Sequence, residues 1–194
     1  MRGAGTAETI LRQEDPPPNH PAPARVGLEP VREARYVCRD PAATEALGRT
    51  LAQRLEGRGV VLLHGDLGAG KTVLVRGLAR ALGIDRAAVQ SPTFTLVNIY
   101  QGTRGRLVHM DLYRLAPHEV DGLGIDELLA QPALVAIEWA ERLEAPPADA
   151  LRVSIERSAK GQRTIELEAT GTADTMTQTL AAAPARRLGE EADR

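Results

Sequence analysis

Gly65-Asp66-Leu67-Gly68-Ala69-Gly70-Lys71-Thr72 carries glycines, a lysine and a threonine at the spacing G-x-x-x-x-G-K-[ST]. Glycines in such a loop let successive backbone N–H groups turn inward around a phosphate. A helix starting within the loop adds the partial positive charge of its N-terminus. Residues Leu67, Gly68, Ala69, Gly70, Lys71 and Thr72 are therefore expected to hold the phosphates of a nucleotide. Lys71 would reach the β and γ phosphates, and the Thr72 hydroxyl would serve Mg²⁺. Of the 24 basic residues only Lys71 and Lys160 are lysines, which makes a lysine inside a glycine loop less of an accident. No Asn-Lys-x-Asp for guanine follows, so ATP is the expected nucleotide.

Such a loop needs a carboxylate at the end of a neighbouring strand to hold the metal or its water. Ala133-Leu134-Val135-Ala136-Ile137-Glu138 is an apolar run ending in an acid, at the strand edge where open α/β sheets place their ligands. Leu107-Val108-His109-Met110-Asp111 is similar but broken by a histidine. Glu138 is assigned to magnesium with Thr72, and Asp111 to orienting a water or the metal's outer waters. Taken alone, either acid could be a solvated strand end. Ser91-Pro92-Thr93-Phe94-Thr95, Tyr100, His109, Tyr113 and Arg114 form a further polar cluster, for which a hydrogen-bonded sheet surface is the competing reading, preferred for Tyr100. Phe94 and Trp139, the only residues of their types, each adjoin a candidate functional residue.

The elements that must position these groups follow from pattern. Arg35 to Cys38 reads as a short strand, and Asp40-Pro41 opens a helix with an N-cap and a proline at its first position. Leu47, Leu51 and Leu55 give that helix one buried stripe. Val60 to His64 is a continuous apolar strand of the kind buried on both faces, and the helix after the glycine loop runs from Lys71 to about Leu82. Phe94 to Tyr100 and Arg106 to Tyr113 read as strands around a hairpin turn at Gln101 to Gly105. His118 to Gln131 reads as two short helical pieces broken by Gly122 and Gly124. Leu151 to Ile155 and Thr164 to Leu167 form a closing hairpin around Lys160-Gly161-Gln162. The pattern is α/β with a mixed sheet.

The chain has 194 residues, 43% of them hydrophobic, and a formal net charge of -2. That suits one domain and argues against coating nucleic acid by bulk electrostatics. Residues 1–33 are Pro-rich and expected to be disordered, 34–169 form the folded unit, and 170–194 form a disordered or frayed helical tail. The single cysteine, Cys38, excludes an internal disulfide and reads as a small buried apolar residue. No apolar run spans a bilayer and Met1 to Leu11 lacks a signal-peptide core, so a cytoplasmic protein is expected.

Four segments together, His64 to Thr72, Ser91 to Val97, His109 to Leu115 and Glu138-Trp139, resemble the successive signatures of the TsaE (YjeE) family. These are bacterial P-loop ATPases of tRNA threonylcarbamoyladenosine biosynthesis. The resemblance runs from about Arg35 to Leu167. It implies a single three-layer P-loop NTPase-like domain with a mostly parallel sheet extended by antiparallel strands. It implies a TsaD–TsaB complex as partner, which modifies the adenosine beside the anticodon in tRNAs reading codons that start with A. Contact with tRNA would be only indirect, with neither DNA nor membrane involved. Asp111 would join the hydrolytic centre with Lys71 and Glu138, and Thr93 would sit in a switch-like loop facing the γ-phosphate. Pro41 at the first helix and Gly161 in the last hairpin would add nucleotide contacts. Two other functions are weighed: a small-molecule or nucleotide kinase, which would need an acceptor, and a nucleotide-gated binding module, for which hydrolysis is incidental.

Overall fold

A computed structural model describes residues 33–120 and 124–170. The expected N-terminal extension and C-terminal tail lie outside the described residues, apart from Glu33 and Thr170, which end the first and last strands. The chain forms β1 (Glu33–Cys38), α1 (Pro41–Arg54), β2 (Gly59–His64), α2 (Lys71–Ala81), β3 (Val97–Gln101), β4 (Arg106–Asp111), α3 (Pro117–Val120), α4 (Ile125–Leu129), β5 (Leu134–Glu138), β6 (Ala150–Arg157) and β7 (Arg163–Thr170). Short 3-10 turns cover Arg86–Ala88 and Ala140–Arg142.

The seven strands form one sheet in the order β1-β7-β6-β2-β5-β4-β3. The pairings β6–β2, β2–β5 and β5–β4 are parallel, and antiparallel pairings flank them on both sides. Five strands thus run one way and only β3 and β7 run the other: the mixed sheet that the pattern predicted, and mostly parallel as the resemblance implied. Alternation along β2 and β5 builds two cores. Val61, Leu63, Leu134 and Ala136 face α1 and α2, whereas Val60, Leu62, Val135 and Ile137 face the side of α3 and α4. Three layers result.

Local chemistry explains the element ends. The Asp40 carboxylate accepts the Ala43 N–H at 2.7 Å and Pro41 fills the first helical turn, so α1 starts where its cap is. Leu47, Leu51 and Leu55 are buried as one stripe. α1 crosses α2 backbone to backbone: a Cβ on Gly48 would strike the Leu74 carbonyl, and one on Gly77 the Glu45 carbonyl. In the turn before β4, Arg104 donates to the carbonyls of Ala81 (2.8 Å) and Arg80 (3.0 Å), satisfying the C-terminal end of α2.

One expected strand begins later than its composition suggests. Phe94 to Leu96 lie outside β3, because Leu96 adopts φ 64° and donates its N–H to the Pro92 carbonyl at 2.7 Å. The segment is a turn that carries hydroxyls toward the sheet end. Likewise β4 stops at Asp111, whose Oδ1 accepts the Tyr113 N–H at 3.0 Å as the chain bends away. Among the described residues no helix is long and apolar enough to cross a membrane.

Candidate functional site

The glycine loop joins the C-terminal end of β2 to α2. Gly70, the N-cap of α2, sits at φ 117° and brings no capping side chain, so the first N–H groups of the helix face the loop's concavity. Position 70 is doubly restricted: a Cβ there would also lie 2.5 Å from Arg163 Nε. Arg163 starts β7 and is buried. Its Nε–H donates to the Ala69 carbonyl at 2.9 Å, and its Nη1 contacts the Gly161 carbonyl at 3.5 Å. The last hairpin is thereby fastened to the back of the loop.

Lys71 lies almost wholly buried, with Nζ donating to the carbonyls of Gly65 (2.5 Å) and Asp66 (3.1 Å). The same ammonium stands 3.9 Å above the Trp139 ring, a cation–π contact. Burial pushes the Lys71 ammonium below its usual pKa, and Glu138, Glu141, Asp111 and Asp66 partly offset that by attraction. Trp139 itself follows Glu138 at φ 59°, a left-handed conformation uncommon for a bulky residue, and packs against Tyr113 with the rings tilted by 41° at a centroid distance of 4.8 Å.

Two carboxylates arrive side by side, because β4 and β5 are parallel and Asp111 is in register with Glu138. Glu138 Oε1 accepts the Thr72 hydroxyl at 2.8 Å and contacts His109 Nε2 at 2.9 Å. Asp111 Oδ2 accepts the hydroxyls of Ser91 and, at 2.8 Å, Thr93, which also contact each other at 2.8 Å. A cavity of about 350 Å³ opens over these groups, lined by Leu67, Gly68, Gly70, Lys71, Thr72, Val73, Ser91, Thr93, Asp111, Tyr113, Glu138, Trp139 and Arg163.

The structure therefore brings together Leu67, Gly68, Gly70, Lys71, Thr72, Thr93, Asp111 and Glu138 from the expected set. Ala69 is buried behind the loop, its carbonyl taken by Arg163. Pro41 begins α1 and Gly161 lies in the β6–β7 turn; neither lines the cavity. Tyr100 accepts from Asn98 at 3.1 Å and contacts the Gln90 carbonyl at 3.4 Å, a structural role. Cys38 is buried, and burial pushes its thiol above its ordinary value, away from nucleophilic use. Sequence reasoning missed Arg163 altogether and left His109 and Ser91 without roles.

The donor set has a clear preference. Among the described residues no group of three His, Cys, Asp or Glu side chains could cage a metal. A hydroxyl and a carboxylate 2.8 Å apart, with open space beside them, suit a hard cation that completes its shell with phosphate oxygens and water, as magnesium does.

Strand, glycine loop, helix and two carboxylates at the parallel strand ends define a P-loop protein of the α/β class. A family model described as "Threonylcarbamoyl adenosine biosynthesis protein TsaE" matches residues 38–165. The chain is 43% identical over 134 residues to the tRNA threonylcarbamoyladenosine biosynthesis protein TsaE of Nostoc, covering 66% of this chain and 81% of that one. It is 35% identical over 142 residues to the protein of the same name in Bacillus subtilis, covering 73% and 89% respectively. A crystal structure of Bacillus subtilis YdiB superposes with a TM-score of 0.63 at 31% identity, covering 77% of this chain and 94% of that one. The chain belongs to the TsaE family.

Proposed function

We propose that the protein binds Mg-ATP in this cavity and hydrolyses it in support of threonylcarbamoyladenosine formation in tRNA, acting with a TsaD–TsaB complex. The observation that carries the reading is the convergence of Lys71, Thr72, Glu138 and Asp111 on one cavity at the N-terminus of α2. The modification itself is assigned to the partner. A net charge of -2 gives this chain little hold on a tRNA backbone, so its contribution is ATP turnover.

Lys71 and the loop amides would take the β and γ phosphates. Thr72 and Glu138 would hold magnesium, which neutralises phosphate charge when bound. A water oxygen attacks the γ-phosphorus, the bond to the β–γ bridging oxygen breaks, and its electron pair leaves with ADP. Asp111 would orient that water and take up its proton. In the structure both oxygens of Asp111 are already engaged, by Ser91 and Thr93 on one side and the Tyr113 N–H on the other. Oδ1 keeps an acceptor position for the water beside the Tyr113 N–H, and turning Thr93 from Oδ2 to the γ-phosphate would free a second on Oδ2. Turnover that is slow alone and faster with the partner is the expected pattern.

The test is ATP hydrolysis by the purified protein with and without a TsaD–TsaB complex. A rise on addition is expected; no rise together with no complex formation sinks the reading. Lys71→Ala is expected to remove ATP binding, and unchanged affinity in that variant would remove the P-loop assignment. ATP consumption that depends on a small acceptor and ignores the partner would favour a kinase.

A further inference from the structure

Three residue pairs climb one face of the sheet beneath α2: Leu107 beside Leu134, His109 beside Ala136, and Asp111 beside Glu138. The lower part of this column is apolar core, with Leu107, Leu134 and Ala136 fully buried. His109 is equally buried, at 0% exposure, in a position where an aliphatic side chain would be the ordinary choice. A buried polar ring is accounted for by its hydrogen bonds, and among the described residues this one has a single bond, from Nε2 to Glu138 Oε1 at 2.9 Å. Nδ1 is buried and has no hydrogen-bond partner among the described residues. Ala136 is its register partner on the next strand, two residues before Glu138.

We propose that His109 is a positioning residue for Glu138. Its Nε2–H and the Thr72 hydroxyl both donate to Oε1, which fixes the terminal torsion of a side chain that otherwise has three free ones. Among the described residues no donor bonds Oε2, which leaves that oxygen for the cation that accompanies the triphosphate. The inference rests on the proposed role of Glu138 at magnesium. A neutral ring with its proton on Nε2 satisfies the carboxylate and leaves only the Nδ1 lone pair unmatched. One nitrogen of the ring acts and the other is idle, so the two can be separated by substitution. Glutamine places an amide nitrogen at about the reach of Nε2, whereas asparagine reaches only to the position of Nδ1.

The experiment is ATP binding by calorimetry, first in chelator and then across a magnesium series, for the full chain and for His109→Gln, His109→Asn and His109→Leu, with thermal melting as the check on folding. All are expected to bind ATP alike in chelator, because the loop is untouched. The magnesium concentration that half-restores full affinity is expected to rise about 10- to 100-fold in the Leu and Asn variants and to stay within about threefold in Gln. A folded Leu variant with an unchanged magnesium requirement would overturn the proposal. If Leu does not fold, equal magnesium requirements in Asn and Gln overturn it instead. An unsubstituted protein that binds ATP without any gain from magnesium would defeat the assignment of Glu138 to the metal, a failure distinct from either.

Discussion

The two carboxylates stand in register on neighbouring parallel strands, yet they are held by different kinds of structure. Glu138 is fixed by Thr72 from the first turn of α2 and by His109 from β4, both in regular elements locked by the core. Asp111 is held by Ser91 and Thr93, which sit in a connecting loop, and by the N–H of Tyr113 just past its own strand. The first arrangement is rigid by construction. The second depends on a loop that contains a leucine at φ 64° and a phenylalanine 80% exposed, stacked under Arg114 at 4.1 Å. On the proposed function, fixed ligands would suit Glu138 as the holder of the metal, and a releasable loop would suit Asp111 at the hydrolytic step.

The strongest way to break this comparison is to neutralise each acid in turn. Asp111→Asn is expected to lower ATP hydrolysis about 10²- to 10⁴-fold while leaving ATP affinity and the magnesium requirement near those of the parent. Glu138→Gln is expected to raise the magnesium requirement about 10- to 100-fold. Steady-state hydrolysis and ATP binding over a magnesium series read both, and the opposite pattern would exchange the two roles.

Much of the site is legible in the sequence, because its parts are local. The glycine loop declares itself by spacing, and each acid by the apolar run in front of it. The rest is hidden for physical reasons. Arg163 acts on a carbonyl 94 residues away, and a bond to backbone leaves no mark on the partner's residue type. His109 looks like a flaw in a strand until β5 is laid beside it with Ala136 at the right level. Phe94 to Leu96 have the composition of a strand, but hydrogen bonds to Asp111 and a left-handed Leu96 override that tendency. The fold class is legible because the continuous apolar runs at β2 and β5 demand cover on both faces.

The loop side of the comparison is sharpened by removing its hydroxyls. Ser91→Ala combined with Thr93→Val strips the donors from Asp111 Oδ2. The expected cost is about 1.5–3 kcal/mol per bond to the charged group. Amide exchange at Phe94 to Leu96 should quicken, while Thr72 and the start of α2 stay protected. Equal loosening of both would mean that the two carboxylates share one framework.

A smaller effect is expected at His64, which ends β2 and pairs with Glu141 at 3.3 Å. Burial lowers its pKa below 6.5, more than Glu141 raises it. Between the folded value and 6.5 the unfolded chain binds the extra proton, so folding stability rises with pH through that window and levels off above it. Urea midpoints against pH should show this rise in the parent and a weaker one in His64→Asn. An unchanged slope would assign the acid sensitivity to other groups.

The ammonium of Lys71 over the ring of Trp139 carries a practical consequence. Trp139 is the only indole in the chain, and the cation above it is the group a triphosphate would draw away. On the proposed function its emission would serve as an optical gauge of loading, placed by the fold one residue from Glu138. Occupancy could be followed in the unlabelled protein, in real time and in the presence of a tryptophan-free partner.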